Sequence, residues 1–360
     1  MSPGPISAVV VNWNGERYLD ECLAALAALE GGLDEVIVVD NASTDGSLAL
    51  LANRHPGVRV VRMEENAGPA TARNAGMREA RNRWVLALDN DAVLRPDALA
   101  KLAAALRDGG EGARDVAIVQ PCSVFHHEPT RVHYDGGAFH YAGLIALRNF
   151  YRPLAEAEGE GTVEVDCAVA VALLVDREAV LAAGGYDEAY FILFEDLDLS
   201  YRLRALGKRI LSVEDAIVLH KGGTPGISYR EGPRYPGSRV YYHSRNRWLF
   251  LAKDYRVRTL LLAAPGLLLY EVVWLGFAVL SGGLGAWVRG KVAFLGLLPE
   301  ALRSRREFQR ARSVRDRDLL VGGPLTVTPA VGGSAWKRGL LRGLDRVLRA
   351  WWGIVGPLAG

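Results

Sequence analysis

Two carboxylates stand one residue apart at the point where a strongly apolar segment ends. Residues 84–88 are mostly apolar and run directly into Asp89-Asn90-Asp91, which predicts a buried strand that stops at a hydrophilic edge of a sheet. α/β proteins bind their ligands at such edges. Two neighbouring carboxylates could hold a hard divalent cation such as Mg²⁺ or Mn²⁺ and, through it, a diphosphate. The tripeptide alone is equally consistent with a polar turn.

Two earlier apolar segments also end in polar side chains. Residues 6–11 predict a first strand that is followed at once by Asn12 and Asn14, and residues 36–39 predict a second strand that ends at Asp40. Each strand leads through a turn-forming cluster into a segment with helical features. The carboxyl ends of three predicted strands therefore carry amides or carboxylates.

A glycine-containing loop follows the third predicted strand, at residues 58–61. The loop begins at Asn66 and becomes a helix that contains Arg73. Its glycines would let the backbone approach a ligand closely, and Arg73 could meet a phosphate or a carboxylate. Up to residue 107 the order of elements is β-α-β-α-β-α-β-α, which predicts an α/β fold with a mostly parallel sheet covered by helices.

A second acidic cluster lies farther along the chain. Glu195 and Asp196 stand in the first turn of a helix predicted to end at residue 205, directly after the aromatic residues Tyr190, Phe191 and Phe194. Acids at this position would stabilise the helix by about 0.3–1 kcal/mol each, through their interaction with the helix dipole. The aromatic residues also suit a partly desolvated carboxylate that acts as a base. On these residues alone both interpretations stay open.

Histidines form the third group of candidate residues. His220 follows a predicted strand at residues 216–219, one of two predicted between 209 and 219, and precedes a glycine pair. A neutral imidazole there could complete a site begun by Asp91. The segment from 122 to 161 is predicted to be irregular. Its four histidines share no helical or hairpin register, so they are predicted to be loop residues near the acceptor and not a metal cluster: His126, His127, His133 and His140.

Taken in order, these motifs resemble the family 2 glycosyltransferases of the GT-A fold. The resemblance rests on Asn-Trp-Asn after the first strand, Val-Asp-Asn-Ala-Ser-Thr-Asp-Gly-Ser at the second, Leu-Asp-Asn-Asp at the fourth, and Phe-Glu-Asp-Leu-Asp-Leu before the later histidine. It covers about residues 6–250 and is greatest to rhamnosyltransferase-type enzymes of bacterial surface polysaccharide synthesis. It implies a Rossmann-like GT-A catalytic domain at 1–250, with a nucleotide-sugar half at 1–121 and an acceptor half at 122–250.

The resemblance also implies a role for each candidate residue. Asp91 would bind Mg²⁺ or Mn²⁺ directly, Asp89 would lie near the ribose and the metal, and His220 would ligate the same metal. Asp196 would be the catalytic base, and Glu195 would orient the acceptor. The remaining residues would contact the nucleotide-sugar, with Asp40 on the pyrimidine, Asn12 and Asn14 at the nucleoside, and Arg73 near the nucleotide or the sugar. Asn66 would also belong to the nucleotide-sugar site.

The function implied by the resemblance is metal-dependent, inverting sugar transfer. The donor would be a dTDP- or UDP-sugar, with dTDP-rhamnose suggested by the enzymes resembled, and the acceptor a hydroxyl of a saccharide or of a polyprenyl-diphosphate-linked glycan. Two alternatives stay open, namely transfer to a polyprenyl phosphate and a catalytically silent scaffold that recruits a partner to the membrane. A dinucleotide-binding oxidoreductase is disfavoured because no Gly-x-Gly-x-x-Gly motif opens any helix. No nucleic acid partner is predicted.

The C-terminal region, residues 251–360, is predicted to be helical and to associate with a membrane. Residues 259–280 are almost wholly apolar and, at about 22 residues, are long enough to span a bilayer. Pro265 and Glu271 argue against a clean span, because an acid near the middle costs about 2.5–3.5 kcal/mol. A helix at the interface, or a re-entrant pair with residues 284–298, is favoured, and a single span stays open.

A basic, amphipathic segment follows at residues 334–354. Its apolar residues recur at helical spacing and its arginines lie mostly elsewhere, as in a helix attracted to anionic lipid. From Arg289 onward the chain has 14 Lys and Arg against 5 Asp and Glu. The three cysteines lack paired or metal-ligand spacing, and the N-terminus lacks a signal-peptide pattern. The predicted location is therefore the cytoplasmic face of the cell membrane.

Overall fold

The computed structural model describes residues 4–108, 115–157, 161–222, 235–327 and 335–360. The chain forms two compact units. Unit 1 comprises Met1–Gly136, Arg148–Leu203 and Lys208–Gly222, and unit 2 comprises Gly137–Leu147, Arg204–Gly207 and Gly223–Gly360. The domain boundaries expected from the sequence, near residues 121 and 250, stay a prediction.

Unit 1 contains one large sheet. Its strands are β1 (Ile6–Asn12), β2 (Glu35–Asp40), β3 (Arg59–Arg62), β4 (Trp84–Asp89), β5 (Ala92–Leu94), β6 (Val116–Phe125), β7 (Glu128–Tyr134), β10 (Thr162–Val165), β11 (Ala172–Asp176) and β12 (Arg209–His220). Its helices are α1 (Glu16–Ala27), α2 (Ser47–Arg54), α3 (Gly68–Glu79), α4 (Ala98–Asp108), α5 (Leu154–Ala157), α6 (Arg177–Ala182) and the start of α7 (Glu195–Ala205). The predicted α/β class is confirmed.

The order of the main strands is β10-β12-β6-β11-β4-β1-β2-β3. The four strands from β4 to β3 are parallel, as is the pair β6 and β12, while β11 lies antiparallel between β4 and β6. Residues of β1 and β4 alternate between two hydrophobic clusters, one on each face of the sheet. Because both faces are covered, these strands are apolar apart from Ser7 until they leave the core.

The parallel register determines which polar residues meet. Asn12 pairs with Asp40 across β1 and β2, and Val11 pairs with Asp89 across β1 and β4. Three strand ends thus lie side by side at the carboxyl edge, where α/β sheets bind ligands.

Two predictions about the second half of unit 1 are wrong. The segment from residue 122 contains the end of β6 and all of β7, which pair as an antiparallel hairpin. The first four residues of β7 are half-buried or exposed and include Glu128 and Arg131, so its apolar pattern is weak. Residues 209–219 form one strand, β12, with a register shift between Val213 and Ile217. The acids Glu214 and Asp215 interrupt the apolar pattern, yet Glu214 is buried and pairs with Arg148.

Unit 2 contains the remaining helices and a small sheet. The strands are β8 (Gly137–His140), β9 (Leu144–Leu147) and β13 (Leu320–Val321), so this part of the predicted irregular segment is also ordered into strands. The helices are α8 (Gly237–Asp254), α9 (Val257–Leu280), α10 (Leu284–Ala311), α11 (Asp316–Leu319) and α12 (Ala335–Val355). Of the described helices, α9 alone has the length and apolar composition needed to cross a membrane. Ser334, the predicted first residue of the amphipathic helix, lies outside the described residues.

Candidate active site

Three side chains converge where β4, β5 and β12 meet. The chain leaves β4 at Asp89 and enters β5 at Ala92, which pairs in antiparallel register with His220 at the end of β12. Asp91 therefore faces His220, with 3.4 Å between Asp91 Oδ2 and His220 Nε2. One donor atom each from Asp89, Asp91 and His220 lies within 4.8 Å of the others.

The chemistry of this cluster fits a divalent cation. Two carboxylates and one imidazole are oxygen and nitrogen donors of the kind that Mg²⁺ and especially Mn²⁺ accept. The side chain of Asp91 is 10% exposed and that of Asp89 is 31% exposed. Burial opposes ionisation of Asp91, but the His220 imidazole outweighs it and lowers the pKa of Asp91. The carboxyl of Asp91 is therefore ionised at neutral pH in spite of its burial.

The middle residue of the tripeptide has a positioning contact that the sequence did not reveal. Asn90 donates from its side-chain amide to Asn12 Oδ1 at 2.8 Å. A Cβ atom on Gly15 would overlap the Asn90 amide. A glycine at residue 15 is therefore needed for the loop between β4 and β5 to bind the end of β1.

A second polar corner forms at the ends of β1 and β2. Asn12 donates to Asp40 Oδ1 at 3.0 Å and to Ser43 Oγ at 3.1 Å, and the Ser43 backbone N–H donates to Asp40 Oδ2 at 3.1 Å. Asn14 is exposed, and its Oδ1 accepts from the Thr44 backbone N–H at 2.7 Å. The two loops after β1 and β2 are held together, and both oxygens of the buried Asp40 are oriented.

Asn66 lies in a neighbouring network and does not bond Asp40 in the described structure. Its Oδ1 accepts from Asn41 Nδ2 at 2.9 Å and from the Gly68 backbone N–H at 3.1 Å. Asn41 in turn accepts from the Ala67 backbone N–H at 3.1 Å. These bonds position the loop that precedes α3, and Asn41 is a further residue that the sequence did not single out.

Arg73 on α3 connects the two acidic clusters. Its Nη2 donates to Asp89 Oδ1 at 2.7 Å, and its Nη1 donates to Glu195 Oε1 at 3.3 Å and lies 3.7 Å from Asp196 Oδ1. The backbone carbonyl of Ala170 also accepts from Nη2, at 3.1 Å. The side chain is only 4% exposed. One buried guanidinium therefore faces three carboxylates, and its several fixed N–H groups suit Arg and not Lys at this position.

Glu195 and Asp196 begin α7 beneath this guanidinium. Asp196 Oδ2 accepts from the Ala170 backbone N–H at 3.0 Å, while Asp196 Oδ1 and Glu195 Oε2 are buried without a hydrogen-bond partner in the described structure. Burial raises the pKa of both carboxyls, and the negative charge of Asp196 raises the pKa of Glu195 further. The pair thus has a higher affinity for protons than ordinary carboxylates.

The segment before Glu195 has a strained backbone. Phe191, Leu193 and Phe194 have φ angles of 61°, 66° and 76°, a region that residues with a Cβ atom rarely adopt. Gly68, also at positive φ, packs so closely on Phe191 that a Cβ atom would lie 2.6 Å from the Phe191 carbonyl oxygen. Strain of this kind is concentrated at functional sites.

Residues 7–169 match the family model described as Glycosyl transferase family 2. This part of the chain thus matches family 2 glycosyltransferase domains, and the chain is a glycosyltransferase. The resemblance inferred from the motifs is confirmed.

Two curated relatives are similar to this chain over different lengths. Succinoglycan biosynthesis protein ExoO of Rhizobium meliloti (strain 1021) is 39% identical over 98 residues, which cover 27% of this chain and 28% of that protein. N-acetylglucosaminyl-diphospho-decaprenol L-rhamnosyltransferase of Mycobacterium tuberculosis (strain ATCC 25618 / H37Rv) is 29% identical over 266 residues, which cover 69% of this chain and 84% of that protein.

A solved structure confirms the GT-A fold class. The crystal structure of GalNAc-T7 with UDP, GalNAc and Mn²⁺ aligns with a TM-score of 0.55 over 73% of this chain and 50% of that chain. At 17% sequence identity, this likeness concerns the fold alone.

Proposed function

We propose that this chain transfers a sugar, with inversion, from a dTDP- or UDP-sugar to a hydroxyl of a polyprenyl-diphosphate-linked glycan. The main support is that Arg73 contacts Asp89 on one side and both Glu195 and Asp196 on the other. Asp89 also belongs to the cluster with Asp91 and His220. In this arrangement a donor site and a base would lie next to each other. The name of the mycobacterial relative, an N-acetylglucosaminyl-diphospho-decaprenol L-rhamnosyltransferase, supports rhamnose as the transferred sugar and a lipid-linked sugar as acceptor.

The donor would lie along the carboxyl edge of the sheet. The corner around Asp40, with Asn12 and Asn14, would bind the nucleoside, and Asn66 would position the loop that faces it. Asp89, Asp91 and His220 would hold Mg²⁺ or Mn²⁺ beside the diphosphate. When bound, the cation would offset the negative charge that develops on the departing nucleoside diphosphate.

Asp196 is the better candidate for the base. Its side chain is 17% exposed against 7% for Glu195, and its Oδ1 carries no hydrogen bond in the described structure. Asp196 would take the proton of the acceptor hydroxyl while the hydroxyl oxygen attacks the anomeric carbon. The bond from that carbon to the diphosphate breaks, and its electron pair leaves with the nucleotide, so one displacement inverts the configuration. Glu195 would orient the acceptor.

Sugar transfer with purified chain tests this proposal. Nucleoside diphosphate release from dTDP-, UDP- and GDP-sugars is measured with Mn²⁺ and a polyprenyl-diphosphate-linked GlcNAc acceptor. Release with a dTDP- or UDP-sugar is expected, and folded Asp91→Ala and Asp196→Ala variants should lose it. Asp97→Asn, which removes an exposed acid paired with Lys101, is the matched control and should retain it. A product with retained anomeric configuration would refute the single displacement.

We also propose peripheral or re-entrant attachment of unit 2 to the cytoplasmic face of the membrane. Glu271 in α9 accepts hydrogen bonds from Arg247 and Trp248 of α8 and from Trp287 of α10, and it pairs with Lys291 at 2.7 Å. An isolated spanning helix would have no such partners. These contacts support an α9 that is held by its neighbours at the interface.

The amphipathic helix α12 has two apolar faces. Leu344, Leu348 and Trp352 are buried within unit 2, and Trp352 stacks on Tyr141 at 4.7 Å between ring centroids. Other apolar side chains of this helix are exposed, namely Trp336, Leu340, Val347 and Ile354. Lipid is proposed to contact this exposed set, together with the nearby arginines.

Vesicle binding distinguishes the membrane modes. Peripheral protein is expected to sediment with vesicles of anionic lipid. About 1 M NaCl should release part of it, because salt at this concentration screens the attraction between surface charges. Replacement of Trp336 and Leu340 by Gln should weaken binding. Resistance to alkaline carbonate extraction would contradict peripheral attachment.

A further inference from the structure

Two histidine rings lie against each other behind the Asp91 cluster. His133 of β7 is almost fully buried, and its Nδ1 is 3.0 Å from Nδ1 of His220. The other nitrogen of His220, Nε2, faces Asp91. The sequence predicts a loop residue near the acceptor, but His133 belongs to the strand β7 and its ring contacts the candidate metal ligand His220.

The strands of the sheet bring the two rings together. Phe125 ends β6 and pairs with His220 of β12, and β6 continues through a turn into β7. The ring of His133 stacks on Phe125, with 4.4 Å between centroids and 30° between planes. The same aromatic residue therefore sets the position of both histidines.

The distance between the two Nδ1 atoms restricts the hydrogen positions. In a hydrogen bond between two nitrogens, one carries the hydrogen and the other offers a lone pair. His220 can offer the lone pair of Nε2 to a cation only if its hydrogen is on Nδ1, and that hydrogen then needs an acceptor. His133 Nδ1 is the acceptor at hydrogen-bond distance. Ligating histidines generally use such a partner for the second nitrogen.

We propose that His133 is a positioning residue that holds His220 with its hydrogen on Nδ1, so that the bare Nε2 faces Asp91 and is available to a divalent cation. The proposal rests on the metal site of the proposed function. His133 acts through His220 and would touch neither the cation nor the sugar.

Two substitutions at residue 133 separate hydrogen bonding from packing. Asn places an acceptor oxygen at about the position of Nδ1 but loses the ring, so His133→Asn should keep the bond and lose the stacking on Phe125. His133→Phe keeps an aromatic ring and loses the acceptor. Mn²⁺ affinity is measured without donor or acceptor, from the electron paramagnetic resonance signal of free Mn²⁺, and thermal unfolding is measured on the same samples. His127→Asn, at an exposed histidine, is the control.

The expected result is that His133→Phe binds Mn²⁺ at least about tenfold more weakly than the wild type, as for other partners of metal ligands. His133→Asn should stay within about threefold of the wild type, although it is the less stable of the two in thermal unfolding. Wild-type affinity in His133→Phe, or affinities that follow the unfolding temperatures, would overturn the inference and leave the metal site intact. A wild-type chain that binds no Mn²⁺ would overturn the metal site and the inference together.

Discussion

Replacing Arg73 with methionine removes the guanidinium that contacts Asp89, Glu195 and Asp196 while keeping most of the side-chain volume. The guanidinium lies 2.7, 3.3 and 3.7 Å from these carboxylates and is 4% exposed. Removing one partner of a buried ion pair costs about 3–5 kcal/mol, because the remaining charge stays buried and unpaired. We therefore expect the free energy of unfolding of Arg73→Met to fall by about 3–5 kcal/mol near pH 8.

The size of this loss should depend on pH. Burial already raises the pKa of the Glu195 and Asp196 carboxyls, and Arg73 opposes that shift. Without Arg73 these pKa values rise further above those of the unfolded chain. A carboxyl with a raised folded-state pKa contributes stability that is present at low pH and lost as pH rises through that pKa. The deficit of the variant relative to the wild type should therefore be small at pH 5 and grow toward pH 8.

Urea unfolding followed by circular dichroism at pH 5, 6.5 and 8 measures both effects. Arg54→Met is the matched control, since Arg54 pairs with Asp20 at 2.8 Å but is 62% exposed. Exposed pairs contribute about 0–1 kcal/mol, so the control should lose little at any of the three pH values. A loss in Arg73→Met no larger than the control, or a loss that does not grow with pH, would refute the buried-charge reasoning.

Three further predictions concern the same site. Asp91→Asn should weaken Mn²⁺ binding in calorimetry more than Asp89→Asn, because Asp91 is the less exposed acid; equal losses would remove the division of roles. Gly15→Ala should lower the free energy of unfolding by about 1–3 kcal/mol, whereas Gly57→Ala, where a Cβ atom meets nothing within 4 Å, should not. Since burial raises the pKa of Glu195, the wild type should lose stability as pH rises through that pKa, so the melting temperature of Glu195→Gln relative to the wild type should be higher at pH 9 than at pH 5; a pH-independent difference would contradict this.

The sequence alone predicted the α/β class and the position of Asp40 and Asp89 at the ends of strands. Both predictions rest on local patterns, since a buried parallel strand needs an apolar run and loses it where it leaves the core. The parallel register of β1 and β2 places Asn12 and Asp40 side by side at one edge of the sheet.

Only the tertiary structure decided which distant residues meet. Asp91 faces His220 because the short strand β5, which no periodic pattern marks, pairs with the end of β12. Arg73 lies between two acidic clusters because α3 packs beside the start of α7, and His133 reaches His220 through β6. Such contacts depend on packing between segments far apart in the chain. The sequence therefore determined the apolar strands β1, β2 and β4 and the polar residues at their ends, and the fold determined which distant side chains lie beside Asp89-Asn90-Asp91.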